Sequence, residues 1–172
     1  RTQRGLVLAV VFALFGSGYP FPVLAAEPPP RIFVHTQTVA TYVEQTALGD
    51  LDGDGDLDLV VGRYYWAGWW YRNQGDGTFG YAGGISSGEN SANTVELADF
   101  NGDGLLDMMV GGYWSLTVRL NNGTGNAASV VSVPVPPGMV RAMTSGDFDG
   151  DGDVDMMAAP TWGPGLLYLN DG

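Results

Sequence analysis

No cysteine occurs in the 172 residues, which excludes disulfides, thiolate metal sites and a cysteine nucleophile. Histidine occurs once, as His35, and the serines have no evident base partner, so no nucleophile–base pair can be assembled. Seven basic residues stand against nineteen acidic ones, and the net charge of −12 leaves no basic face for nucleic acid. No helical periodicity and no phosphate-binding loop is visible. The expectation is therefore a protein without enzymatic activity in these residues. What is plentiful is glycine, 27 residues, in a chain with only 15% charged residues, a composition suited to many short strands joined by tight turns.

The acidic residues are not scattered. Asp50-Leu51-Asp52-Gly53-Asp54-Gly55-Asp56-Leu57-Asp58 recurs as Asp99-Phe100-Asn101-Gly102-Asp103-Gly104-Leu105-Leu106-Asp107 and as Asp147-Phe148-Asp149-Gly150-Asp151-Gly152-Asp153-Val154-Asp155. The copies are 49 and then 48 residues apart, an internal period that marks a repeat architecture. These loops, 50–58, 99–107 and 147–155, hold thirteen of the nineteen acidic residues. The acidity is thus local chemistry rather than a disordered tail.

That chemistry is calcium-like. A hard cation of this size takes six to eight oxygens, which a short loop supplies from alternate residues when it curls around the ion. Positions 1, 3, 5 and 9 carry Asp50, Asp52, Asp54 and Asp58; Asp99, Asn101, Asp103 and Asp107; and Asp147, Asp149, Asp151 and Asp155. Position 7 is Asp56, Leu105 or Asp153, and leucine serves there only through its backbone carbonyl. Position 6 is glycine in every copy, as a sharp turn requires. The Asn101 loop, one carboxylate poorer, is expected to bind most weakly. An EF-hand shares the first nine positions but needs a glutamate at the twelfth, where this chain has Val61, Val110 and Ala158. The apolar, β-branched run that follows each loop also reads as strand, not helix.

Ahead of the repeats, residues 1–25 read as a secretory signal. Arg1 and Arg4 precede the eleven-residue apolar run Gly5–Phe15, then come helix breakers and Val23-Leu24-Ala25, with cleavage expected after Ala25. Eleven residues are too few for a membrane helix, which needs about 20. The mature chain is expected to be exported, extracellular or periplasmic. The sequence does not begin with methionine, which suggests a truncated start. A proline-rich spacer, 26–31, leads to an expected strand over 31–39, and the repeats occupy 32–172.

Each unit reads strand, calcium loop, strand, turn, strand, turn, strand. Strands are expected near 43–49, 57–63, 68–73 and 78–85; 93–98, 106–112, 115–121 and 128–135; and 140–146, 154–159 and 166–170. Asn73-Gln74-Gly75, Asn121-Asn122-Gly123 and Asn170-Asp171-Gly172 follow the third strands, where asparagine with glycine is expected to supply positive-φ turns. Paired methionines, Met108-Met109 and Met156-Met157, read as core filling rather than a soft-metal site. Four strands per period without helices indicate an all-β fold of β-propeller blades, four antiparallel strands each, about three blades being present. Propellers close with about four to eight blades, so the ring needs either further blades in a longer chain or several copies of this one. Tyr65, Trp114 and Trp162 repeat at the turn between second and third strands, and read either as inter-blade packing or as a surface for a carbohydrate or protein ligand.

Asp-x-Asp-x-Asp-Gly-x-x-Asp before an apolar strand resembles the FG-GAP/VCBS repeats of integrin-α-like propellers. Gly68-Trp69-Trp70-Tyr71-Arg72-Asn73-Gln74-Gly75-Asp76-Gly77-Thr78-Phe79 is similar to the segment that follows in bacterial members, and Phe79-Gly80 resembles the family's Phe-Gly. The resemblance covers roughly 44–172. It implies a secreted calcium-binding scaffold for cell adhesion or ligand binding, with calcium structural rather than catalytic. The alternative is the non-catalytic propeller part of a larger secreted polysaccharide lyase or hydrolase.

Overall fold

The computed structural model describes residues 37–88 and 91–172. The leader 1–25, the spacer 26–31 and His35 lie outside the described residues, as does most of the strand expected over 31–39. Its described end, residues 37–39, is not strand. There the Gln37 side-chain amide donates to the Phe79 carbonyl (3.0 Å) and accepts from the Phe79 N–H (2.9 Å), so a side chain occupies the edge a strand would have paired.

Among the described residues there are three antiparallel sheets and no helix. The first runs β1 (Val43–Gly49), β2 (Asp58–Arg63), β3 (Trp66–Asn73) and β4 (Phe79–Ile85) in chain order. The second repeats it with β5 (Thr94–Ala98), β6 (Asp107–Gly111), β7 (Leu116–Asn121) and β8 (Ala127–Val133). The third holds β9 (Val140–Gly146), β10 (Asp155–Pro160) and β11 (Leu166–Tyr168). The fold is a partial propeller of three blades that do not close into a ring. Every nonapeptide connects the first and second strands of its blade in the same register: Asp58 pairs with Gly49, Asp107 with Ala98 and Asp155 with Gly146.

Second strands are apolar on both faces, as suits strands of blades that stack face to face. Val60, Trp70 and Ile85 of the first blade pack on Val95, Met108 and Val110 of the second, with Leu51 of the first loop beneath them. Met109, Leu116, Val118 and Phe100 pack in turn on Val140, Met143 and Ala158 of the third. Adjacent methionines therefore enter different cores, Met108 one and Met109 the other, as core filling requires. The inner strand β5 lies between β1 and β9. Gln45 accepts from the Thr94 hydroxyl across one of these seams, and Glu96 from the Ser145 hydroxyl (3.3 Å) across the other.

Trp70 is the bulkiest side chain of the first interface, and the next blade is shaped to it. Gly125, at φ +74°, lies over the indole so closely that an added methyl would collide with the ring. The outer face of the third blade has no such cover. Phe148 and Met157 are 49% and 41% exposed, whereas their counterparts one repeat earlier, Phe100 and Met109, are 8% and 0% exposed.

Trp70→Ala should lower stability by about 3–5 kcal/mol in urea unfolding, the usual cost of emptying a buried aromatic site. Trp162→Ala, at an exposed ring, should stay within about 0.5 kcal/mol of the parent. Equal effects would mean that Trp70 does not anchor the interface.

Candidate metal centres

Each loop is curled by its own carboxylates. Position 1 accepts backbone N–H groups from the far side of the turn: Asp50 from Gly53 (2.8 Å) and Gly55 (2.9 Å), Asp99 from Asp103 (3.1 Å) and Gly104 (2.8 Å), and Asp147 from Gly150 (2.6 Å) and Gly152 (3.1 Å). Position 5 accepts from the N–H two residues on: Asp54 from Asp56 (3.0 Å), Asp103 from Leu105 and Asp151 from Asp153 (both 2.9 Å). These bonds require left-handed backbone at position 6, where Gly55, Gly104 and Gly152 have φ of +92°, +86° and +100°.

The curl brings acidic oxygens together in two of the three loops. Oxygens of Asp50, Asp52 and Asp58 lie within 4.8 Å of one another, as do those of Asp147, Asp149 and Asp151. In the second loop Asn101 stands at position 3; it accepts from the Asp103 N–H (3.1 Å) and donates to the Asp103 carboxylate (2.9 Å). Position 7 side chains turn away toward the turn after the third strand: Asp56 lies by Gly75, Leu105 by Gly123 and Asp153 by Gly172. A position that alternates between aspartate and leucine without changing the loop is consistent with a carbonyl rather than a side-chain role.

Position 9 differs from the other four. Asp58, Asp107 and Asp155 are 0%, 0% and 1% exposed, and each spends both oxygens on backbone amides. One oxygen accepts from position 2 of its own loop: Leu51 (3.1 Å), Phe100 (3.0 Å) and Phe148 (2.8 Å). The other accepts from the asparagine ending the third strand: Asn73 (2.9 Å), Asn121 (2.7 Å) and Asn170 (2.8 Å). Burial pushes the Asp58 and Asp107 carboxyls upward, and the same amides pull them back. Asp155, next to the uncovered outer face, is instead held low by the amides of Asn170 and Phe148.

The segments Asn73–Gly75, Asn121–Gly123 and Asn170–Gly172 do supply positive φ, but through their glycines and not through the asparagines. Left-handed backbone falls on Gly75, Gly77, Gly123 and Gly125, and not on Asn73, Asn121 or Asn170. The asparagine side chain instead clamps the loop. Its Nδ2 donates to the position 8 carbonyl of its own blade: Leu57 (3.1 Å), Leu106 (3.0 Å) or Val154 (3.3 Å). In the second and third blades it also reaches the preceding blade, Asn121 to the Leu51 carbonyl (2.7 Å) and Asn170 to the Phe100 carbonyl (2.9 Å). Loop, third strand and neighbouring loop are thus joined by one alternating chain of hydrogen bonds. The recurrence of Asn73, Asn121 and Asn170 at the repeat spacing was the available signal. A residue to which the sequence alone assigns no individual role is Arg72, whose guanidinium forms an ion pair with Asp52.

Calcium fits the first loop on two observations. The donor set is all oxygen, as a hard cation wants. The second Asp52 oxygen is buried, on a side chain only 6% exposed, and has no hydrogen-bond partner among the described residues, a demand that a bound cation would satisfy.

At the opposite end of each second strand, Tyr65, Trp114 and Trp162 are 56%, 55% and 66% exposed. They do not wedge the blades; Trp70 does. Tyr65 and Trp114 both sit at φ +58°, a backbone conformation costly for aromatic residues. Their rings join a strip across two blades, Tyr64–Tyr65 at 4.0 Å, Tyr65–Tyr113 at 6.1 Å and Tyr113–Trp114 at 4.8 Å.

Asn121→Asp breaks the clamp and sets a buried carboxylate oxygen against the two carbonyls that the amide had bridged. Its remaining side-chain oxygens can still accept from Asn122, Gly123 and Gly125, as Asn121 Oδ1 does, while both donor bonds are lost and the buried Leu51 carbonyl is orphaned. The expected loss is about 1–3 kcal/mol in chemical denaturation, against almost none for exposed Asn122→Asp. A neutral Asn121→Asp would show that the blades are held by apolar packing alone.

Against known proteins, a family model described as an FG-GAP-like repeat matches residues 50–110 and again 99–158. No curated protein matches the chain. The two matches overlap over residues 99–110, which contain the loop 99–107, begin at position 1 of successive nonapeptides and together span most of the chain. With three blades in the same register, each carrying that loop between its first two strands, the chain belongs to the FG-GAP-like repeat family.

Proposed function

We propose that this protein is a secreted, calcium-stabilised propeller scaffold for adhesion or ligand binding, its calcium held by the nonapeptide loops. The observation that carries the calcium reading is the buried, unpartnered oxygen of Asp52, beside the carboxylates of Asp50 and Asp58. Asp50, Asp52 and Asp54 with Asp58 would hold an ion in the first loop, and Asp147, Asp149 and Asp151 with Asp155 in the third. Asp99, Asn101, Asp103 and Asp107 form the poorer second set. Positions 7, Asp56, Leu105 and Asp153, would contribute carbonyls. A bound cation offsets the repulsion among carboxylates that the fold gathers at one rim, so its role is structural. The chain's own part is to hold these oxygens convergent through the backbone amides already described.

Export is supported by the leader-like residues 1–25, and an extracellular or periplasmic setting supplies calcium in abundance. No helix among the described residues is long and apolar enough to cross a membrane. The exposed aromatic strip through Tyr65 and Trp114, together with exposed Trp162 on the third blade, supports a carbohydrate or protein ligand at the rim opposite the calcium loops. The uncovered Phe148, Met157 and Leu167 face supports a further four-stranded blade packing there, from a longer chain or from a second copy. The scaffold itself is proposed to be non-catalytic, alone or as the propeller part of a larger secreted lyase or hydrolase.

Calcium at about a hundredfold excess over its dissociation constant should raise the melting temperature by roughly 5–10 °C over the EDTA-treated protein. Identical melts in calcium and EDTA would refute the calcium reading.

A further inference from the structure

The three loops are not electrostatically equal, and the difference comes from outside them. Arg72 stands one residue before the clamp asparagine in the first blade, where the other blades have Leu120 and Leu169. Its guanidinium pairs with one oxygen of Asp52, the position 3 residue of the first loop. The other Asp52 oxygen is buried without a partner. In the third loop, which has the same five aspartates, the position 3 residue Asp149 accepts only from the Asp151 N–H (3.2 Å), and among the described residues no basic side chain pairs with it. The first loop therefore contains a cation supplied by the chain; the third does not.

We propose that Arg72 is a resident counter-charge that holds the first loop together without metal and lowers that loop's affinity for calcium. The inference rests on the calcium reading above. With Arg72 on one oxygen, Asp52 has a single oxygen left for an ion, and it is the one without a partner. A positive charge in contact with a ligand carboxylate also repels a divalent ion a few ångström away, an interaction softened by solvent because Arg72 is 47% exposed. In the absence of metal the same charge offsets the repulsion among Asp50, Asp52 and Asp58. Loops of nearly identical sequence would thus fill at different calcium concentrations, the third before the first.

The test is a calcium titration of the full chain followed by amide NMR. The position 6 glycines Gly55, Gly104 and Gly152 report on one loop each. Arg72→Leu installs the residue found in the other two blades, so folding should tolerate it. Its Gly55 midpoint should fall roughly three- to tenfold, with the Gly152 midpoint unchanged and a lower melting temperature in EDTA. Arg72→Lys, which keeps the charge, should titrate close to the parent. A Gly55 midpoint unchanged or raised in Arg72→Leu overturns the proposal, as does a lysine variant that binds as tightly as the leucine one. Should Gly55 in the parent not respond to calcium at all, the calcium reading of this loop fails, and the role of Arg72 fails with it.

Discussion

The fold depends on one buried carboxylate per blade. A charged side chain taken from water is tolerated only where its oxygens are fully engaged, and Asp58, Asp107 and Asp155 meet that condition with two backbone amides each. One amide belongs to the loop and the other to the end of the third strand. The acidic loop, which would otherwise be a solvated excursion between two strands, is thereby bound to the blade. Removing either partner would leave a buried charge under-satisfied, so position 9 admits little besides aspartate.

From that carboxylate the order spreads to the neighbouring blade. The asparagine that donates its backbone N–H to Asp107 donates its side chain to the Leu51 carbonyl one blade earlier, and Asn170 does the same between Asp155 and Phe100. The polar chain runs along the loop rim, while apolar layers centred on Trp70 and Met109 fill the space between sheets. Hydrogen bonds set register and apolar burial supplies most of the driving force. The oxygen-bearing side chains of positions 1, 3 and 5 are left at the rim, where those of positions 1 and 5 curl the loop through its own amides. A cation is compatible with this arrangement because the parts that build the blade and the parts that face the ion are mostly different residues.

Much of this was legible in the chain. Strand positions followed from apolar runs bounded by the loops, and the 49- and 48-residue spacing set the blade as the unit. Boundaries shifted by a residue or two, for example β3 starting at Trp66 rather than 68, because hydrogen bonding resumes immediately after the Tyr64-Tyr65 turn. What sequence did not reveal was division of labour inside the loop. Position 9 looked like one more ligand, yet its burial depends on an amide 15 residues downstream in the third strand. The asparagines looked like turn formers because asparagine commonly is one; their clamp role spans 70 residues and two blades. No local sequence signal marks Arg72, because its contact with Asp52 exists only after β2 and β3 have paired. Exposure of Tyr65, Trp114 and Trp162 likewise depended on which aromatic wedges the blades, and Trp70 fills that place.

Rim loops bound from within at one end of each second strand, and exposed aromatics at the other, separate the groups that tie the blade together from those left at the surface. The central claim is that the position 9 carboxylate, and not the cation, ties loop to blade. Native-state hydrogen exchange tests it most directly. The amides of Leu51, Asn73, Phe100 and Asn121 should exchange only through global unfolding, in EDTA as in calcium, while those of Gly55 and Gly104 should slow only when calcium is present. Exchange of the first group in EDTA as fast as that of the loop glycines would contradict the account.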